Sequence, residues 1–260
     1  MAARATWRFI DSGPGPGSWQ MALDEAMLAA CDADRMPTLR LFAFGPDCLS
    51  LGRFQPALKD IDPAFCREMG LDVVRRPTGG RAVLHHGDLC YAVVAPVKTP
   101  IFAGPIRNSY CQIGAALDLA LTKLGLSLES CASAADIHTQ DATSCFAAAA
   151  PFESRVGSAK LVGSAQTRRG SAFLQQGSIR LHINVEAEIS LLGYGEPSPT
   201  ISQLLGRSVS YQEMATALQS AFEEHFAASL IAADLTSKEG ELAKELERDK
   251  FSRLEWTWLR

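Results

Sequence analysis

The sequence predicts an α/β (α+β) fold with one main sheet. Strand-like alternating or continuous apolar runs interleave with helical periodicities along the chain. Neither an internal repeat nor a linker able to separate two large domains interrupts the 260 residues. With 47% hydrophobic and 21% charged residues, the composition is that of a folded globular protein. The expectation is a single domain over 1–260, with its main body at about 18–227 and a helical C-terminal extension at 236–260.

Each element follows from a local pattern. Trp7–Ile10 is a short apolar start, and Ser12–Gly17 (SGPGPG) reads as a loop. Ser18 is placed to cap a helix running to about Asp32, with Met21, Ala22, Ala26 and Met27 on its apolar stripe. Leu39–Phe44 alternates like a strand, and Cys48–Gln55 reads as a strand entering a glycine-containing turn. Asp72–Arg76, Arg81–His85 and Leu89–Ala95 are further strands, and Asn108–Leu124 is an amphipathic helix. Cys131–Ala135 and Ala147–Ala150 read as loop or short strand. Lys160–Gln166 and Ala172–Ser178, joined by a polar Arg-Arg-Gly-Ser linker, have the pattern of a hairpin. Ser210 with Glu213 and Thr236 with Glu239 form two capping boxes ahead of helical periodicities. The aromatic and charged tail, Phe251–Arg260, is expected to dock on the domain.

Charge and cysteine usage narrow the function classes. A formal net charge of -4 argues against a nucleic-acid platform. The first ten residues lack the apolar core of a signal peptide. No apolar run approaches the roughly 20 residues of a membrane span, so a cytoplasmic protein is expected. The seven cysteines (Cys31, Cys48, Cys66, Cys90, Cys111, Cys131, Cys145) include no CxxC pair and no Cys/His ligand spacing. Reduced thiols and no metal follow. Most are expected to be small core hydrophobes, as Cys90 between Leu89 and Tyr91 suggests. Without a sustained heptad, a monomer is expected.

Two stretches carry chemistry. Thr143–Ser178 brings together Cys145, beside Ser144 and ahead of a loop, and Lys160, fifteen positions later at the start of a strand. A nearby ammonium favours the nucleophilic thiolate, so a Cys/Lys acyl-transfer site is the first hypothesis. The second stretch is Arg75-Arg76-Pro77-Thr78-Gly79-Gly80-Arg81-Ala82-Val83-Leu84-His85. Its paired glycines let backbone N–H groups approach a ligand, and its arginines suit a phosphate or carboxylate. Alone, a Gly-Gly pair between strands is a turn, and His85 or His86 taken singly is structural.

Together, these segments resemble the lipoate–protein ligase and octanoyltransferase family, a branch of the biotin/lipoate ligase superfamily. RRPTGGRAVLH is similar to its signature. Met21–Ala26, Ser50–Gln55 and Lys160–Gln166 agree in the same order, so the resemblance covers the chain from about Trp7 to the tail. It implies a single ligase-like catalytic domain with a mixed, largely antiparallel sheet flanked by helices. It also implies that Arg76, Thr78, Gly79, Gly80, Arg81, Ala82, Val83, Leu84 and His85 line a tunnel for an eight-carbon acyl chain and its activated carboxyl end. Gly163, Ser164 and Ala165 join this set, and Lys160 matches the family's lysine.

The Ser-Cys-Phe setting of Cys145 resembles the branch that stores the acyl group as a cysteine thioester. Ligases usually carry a C-terminal accessory domain, whereas this chain ends soon after the second capping-box helix. Both features point to a transferase.

The implied activity moves octanoyl from acyl carrier protein to a lysine of lipoyl domains or of the glycine-cleavage H protein. The acyl group arrives on carrier-protein phosphopantetheine, and no other cofactor is implied. Arg53, Arg75, Arg81, Arg168 and Arg169 are candidates for docking these acidic partners. Three rivals remain: an ATP-dependent lipoate ligase, an amidotransferase between lipoyl proteins, and a non-catalytic acyl-binding protein. One departure stands out. The family often has Leu-Gln-His-Gly-Ser where this chain has Leu174-Gln175-Gln176-Gly177-Ser178, and Gln176 cannot act as a base near neutral pH.

Overall fold

The computed structural model describes residues 4–128, 155–156, 159–192 and 198–259. Cys131, Cys145 and the two alanine-rich segments lie outside these residues. In chain order the elements begin β1 (Ala5–Gly15), α1 (Gly17–Ala30), β2 (Thr38–Phe44), β3 (Cys48–Leu51), α2 (Ala57–Asp60) and α3 (Pro63–Glu68). Next come β4 (Asp72–Arg75), β5 (Val83–His85), β6 (Leu89–Pro96) and α4 (Ile106–Lys123). Then follow β7 (Arg155–Val156), β8 (Ala159–Lys160), β9 (Val162–Arg169), β10 (Ala172–Ile179) and α5 (Val185–Leu192). Last are α6 (Ile201–Leu205), α7 (Tyr211–His225), β11 (Ala228–Ala232), α8 (Ser237–Leu246), a π-helical turn (Glu247–Phe251) and α9 (Leu254–Thr257).

The main sheet has the order β11-β1-β2-β6-β10-β9. β1 runs parallel to β11 and β2, and the remaining pairs are antiparallel, so the sheet is mixed. Its centre is buried on both faces. Along β6, Leu89, Tyr91, Val93 and Ala95 pack into one core with α4 and α7. The alternate residues Cys90, Ala92 and Val94 pack into a second core with α1. The period-2 alternation of a strand places successive side chains on opposite faces, which explains why β6 is apolar throughout. A smaller sheet, β4-β3-β5, covers a third cluster that includes Leu49, Leu51, Cys66, Ala82 and Leu84. Among the described residues, no helix is long and apolar enough to cross a membrane.

Several expectations need correction. β1 continues to Gly15 through a register shift between Asp11 and Pro14, where the glycines and prolines suggested a loop. Pairing with β2 supplies the order that local sequence lacks. Helix α1 starts after Pro16, and Ser18 does not cap it; the Ser18 hydroxyl donates to Glu247 instead (3.0 Å). The first capping box is half formed. Ser210 Oγ accepts from the Glu213 N–H, while the Glu213 carboxylate is held by Arg207 (2.7 Å). Lys160 sits on β8, paired with β7, so the hairpin proper is β9–β10.

The second capping box is complete, and it does more than cap. Glu239 receives the Arg8 fork at 2.8 and 3.0 Å, tying α8 to β1. Burial works against the Glu239 charge, but the bonds from Arg8 and Thr236 outweigh it and hold the carboxyl at about 2, below its ordinary 4.5. A depressed carboxylate stabilises the fold above its unfolded value and loses that contribution as it protonates. Stability should therefore fall as pH drops from 4.5 towards 2. Glu239→Gln should flatten that part of the profile in urea titrations run at stepped pH.

Candidate active site

A half-open cleft lies between the two sheets. Its walls come from five places. Met21 is on α1, and Phe42 and Phe44 are at the end of β2. Ser50, Val83 and His85 belong to the small sheet, with Arg76 and Thr78 on the connection after β4. Cys90 comes from β6, and Gly163–Ala165 with Gln176–Ser178 from the hairpin. The lining is mainly apolar with a few convergent polar groups, as in small-molecule sites.

Of the residues expected to line a tunnel, Arg76, Thr78, Val83, His85, Gly163, Ser164 and Ala165 reach this cleft. Gly79, Gly80, Arg81, Ala82 and Leu84 are not part of its lining. Alternation on β5 explains two of these: Val83 and His85 face the cleft, so Ala82 and Leu84 face the third core. Gly79 and Gly80 shape the loop. A Cβ at Gly52 would lie 1.8 Å from the Gly80 carbonyl, so the GRFQ and TGG backbones touch only because residue 52 lacks a side chain. Arg76 holds that loop, donating to the carbonyls of Ser50 (2.9 Å), Gly79 (2.8 Å) and Arg81 (2.7 Å). Lys160 is buried at the end of β8, three residues before Gly163 and outside the lining. Cys145 lies beyond the described residues.

Two buried polar networks flank the cleft. In the first, Thr78 Oγ1 donates to Gln176 Oε1 (2.8 Å), and Gln176 Nε2 donates to Asp24 Oδ2 (2.5 Å). Asp24 Oδ1 accepts from Arg40 (2.5 Å), whose fork also reaches the Gln20 side chain. Burial pushes the Asp24 carboxyl up, against the pull of Arg40 and Gln176. Gln176 thus accepts at one end and donates at the other, joining the TGG loop to α1. In the second network His85 Nε2 lies 2.8 Å from Ser50 Oγ, and His85 Nδ1 lies 3.6 Å from Asp88 Oδ2. Ser178 Oγ donates to that same carboxylate oxygen at 2.7 Å. Burial, more than the neighbouring Asp88 can offset, lowers the His85 pKa and keeps the ring neutral. The Cys90 thiol, 3.6 Å from His85 Nδ1, is pushed well up by burial.

The arginines proposed for docking divide. Arg75 is fully buried, donating to the carbonyls of Gly52, Gln55 and Thr257, because a guanidinium inside the protein needs many acceptors. It is structural. Arg168 reaches the carbonyl of Gly104 (3.0 Å). Arg169 and Lys250 both bind the Glu25 carboxylate. Burial lowers the Lys250 pKa, and the nearby positive charges of Arg53 and Arg169 push the same way. Arg53 stacks over the exposed ring of Phe54 and donates its backbone N–H to the Thr78 carbonyl (2.9 Å), at the cleft. His86 pairs with Asp47 on the surface (2.6 Å).

Sequence reasoning missed Ser50, Asp24, Asp88, Ser178 and Lys250. Asp24 and Glu25 gave a signal, since adjacent acids in an otherwise apolar helix need buried partners.

A model of the lipoyl protein ligase A/B catalytic domain matches residues 16–223. The chain belongs to that family. It is 36% identical to octanoyltransferase LipM of Carboxydothermus hydrogenoformans, over 96% of this chain and 98% of that one. It is 37% identical to octanoyltransferase LipM of Moorella thermoacetica, over 96% and 97%. Among solved structures, a lipoate-protein ligase A bound with ATP superposes with a TM-score of 0.81 at 23% identity, covering 98% of this chain and 99% of the other. The bi-partite lipoate protein ligase of Thermoplasma acidophilum gives 0.80 at 23%, covering 99% and 98%. These likenesses establish the ligase-like fold, a mixed sheet flanked by helices.

The cleft depends on the buried ion pair behind it. Asp24→Ala leaves the buried Arg40 without its counter-charge, and should cost about 3–5 kcal/mol in urea denaturation.

Proposed function

We propose that this protein is an octanoyltransferase of lipoate biosynthesis, moving octanoyl from acyl carrier protein to a lysine of a lipoyl domain or of the glycine-cleavage H protein. The observation that carries this reading is full-length similarity, at 36% and 37% identity, to two octanoyltransferases. An apolar cleft walled by the RRPTGG loop and the hairpin supports it, because such a space suits a medium-length acyl chain.

On this reading Cys145 is the nucleophile. Its thiolate attacks the carrier thioester, the phosphopantetheine thiol leaves, and the acceptor amine then takes the acyl group as an amide. Exchange between thioesters is close to thermoneutral and amide formation is downhill, so no ATP is consumed. Lys160 favours the Cys145 thiolate as a cation and donates to the developing oxyanion. After giving its proton to the departing phosphopantetheine thiolate, it accepts one from the incoming amine.

Intact mass tests this directly. After incubation with octanoyl-acyl carrier protein and no ATP, wild type should gain one octanoyl group that neutral hydroxylamine removes. Cys145→Ala should show no such hydroxylamine-sensitive adduct, and Lys160→Ala should form it far more slowly. Acceptor modification that requires ATP and free lipoate would overturn the reading in favour of a ligase.

The acidic carrier is met by Arg169 and Lys250, which share the Glu25 carboxylate, and by Arg53, whose charge acts on Lys250. Rim charges act mainly on encounter and are screened by salt. Arg53→Glu should raise KM for octanoyl-acyl carrier protein roughly tenfold at low ionic strength. The effect should shrink at high salt and be absent with neutral octanoyl-pantetheine.

A further inference from the structure

The polar residues of the small sheet, together with Asp88, have the arrangement of a hydrolytic triad. Ser50 and His85 both line the cleft. Their side chains meet across the β3–β5 pair, with Ser50 Oγ 2.8 Å from His85 Nε2. On the far side of the ring, Nδ1 faces the Asp88 carboxylate at 3.6 Å. That distance is long for a hydrogen bond, but catalytic contacts in unliganded sites are commonly loose and tighten with substrate.

The hydrogen-bond partners accommodate the tautomer that a nucleophile–base pair needs. Arg76 Nη1 donates to Ser50 Oγ at 3.2 Å, which leaves the serine proton available to His85 Nε2 in the tautomer protonated at Nδ1. In that tautomer Nδ1 carries the ring proton, with the Asp88 carboxylate, which Ser178 holds at 2.7 Å, and the Cys90 sulfur each 3.6 Å away. Phe44 stacks on the imidazole at 4.3 Å and limits its rotation. A neutral histidine with its lone pair on a serine hydroxyl is a nucleophile–base pair, and the carboxylate behind it fixes the tautomer.

We propose that Ser50, His85 and Asp88 form a second nucleophilic site in the cleft. It hydrolyses medium-chain acyl thioesters when no acceptor lysine is engaged. The substrate class rests on the octanoyltransferase reading; the triad itself rests only on the geometry.

The steps balance with water as the sole co-reactant. Ser50 Oγ bonds to the thioester carbonyl as its proton passes to His85 Nε2. The C–S bond breaks, the thiolate takes that proton from His85, and an acyl-serine ester remains. Water then gives a proton to His85 and adds to the ester carbonyl. The C–O bond to Ser50 breaks, the serine regains its proton, and the fatty acid leaves. Arg76 Nη1, beside Ser50 Oγ, lies where the oxyanion would develop. His85 is the base and Asp88 the positioning residue.

The experiment uses the full chain carrying Cys145→Ala, so that the proposed transferase nucleophile is absent. Thiol release from octanoyl-pantetheine is followed without acceptor, and an alkyl fluorophosphonate is used to trap an activated serine. The expected result is steady thiol release, slowed roughly a hundredfold by adding Ser50→Ala or His85→Gln. One phosphonate should map to Ser50 by peptide mass. Asp88→Asn should lower the rate and shift the pH at which it is half-maximal, which loss of packing alone would not do.

Because Ser50→Ala disturbs a buried network, Ser50→Cys in the Cys145→Ala background provides a second reading. It should acquire a hydroxylamine-sensitive octanoyl group at position 50. Absence of both serine-dependent thiol release and phosphonate at Ser50 would overturn the triad, even if wild type still forms its Cys145 thioester. Ser50 labelling without any Cys145 adduct would instead overturn the transferase reading and leave the triad standing.

Discussion

The buried guanidinium of Arg75 is the constraint on which the geometry of the site depends. Removing such a charge from water is expensive, and only several well-placed acceptors compensate for it. Those acceptors are main-chain carbonyls from two distant parts of the chain, Gly52–Gln55 and Trp256–Thr257. Trp256 completes the clasp by donating its indole N–H to the Arg75 carbonyl at 2.9 Å. The GRFQ turn, the strand leading into RRPTGG and the C-terminal extension are thereby fixed together. Arg76 then folds the TGG loop back over Ser50. Two adjacent arginines, a pair whose charge suits an anionic ligand, here organise the backbone.

The cleft is placed where the two sheets meet, with α1 behind it. That helix contributes a cleft wall through Met21 and a buried acid through Asp24, three residues apart on one face. The hairpin contributes small residues on the facing wall. Gly177 is required there, because a Cβ would come within 2.2 Å of the Tyr91 ring. Tyr91 in turn bonds the Ser164 hydroxyl at 2.7 Å, holding β9 against the cleft. Substrate space thus depends on small residues packed against a fixed aromatic ring.

The networks on the two sides of the cleft differ in chemistry. Gln176, Asp24 and Arg40 form a charged pair bridged to the TGG loop by an amide that does not titrate near neutral pH, which suits a positioning role. Ser50, His85 and Asp88 include a neutral imidazole, which suits proton transfer. His85 is the one ionisable ring among the described residues that line the cleft.

Motifs whose meaning is local or ordered along the chain were legible in the sequence. These include the hairpin, the amphipathic helices, the apolar β6, the second capping box, and the four segments that resemble the ligase and octanoyltransferase family. Periodicity and capping report short-range physics, and a single stretch of chain contains all of it. Other features were decided by tertiary structure. β1 extends through a Gly/Pro run because β2 pairs with it, and Ala82 and Leu84 turn away from the cleft because their neighbours face it. Arg75 disappears into the interior because carbonyls some 180 residues later accept its bonds. Ser50 meets His85 for the same kind of reason. The identity of a side chain sets its chemistry, but its partner, its burial and therefore its protonation are properties of the packed neighbourhood, and only the fold assembles that.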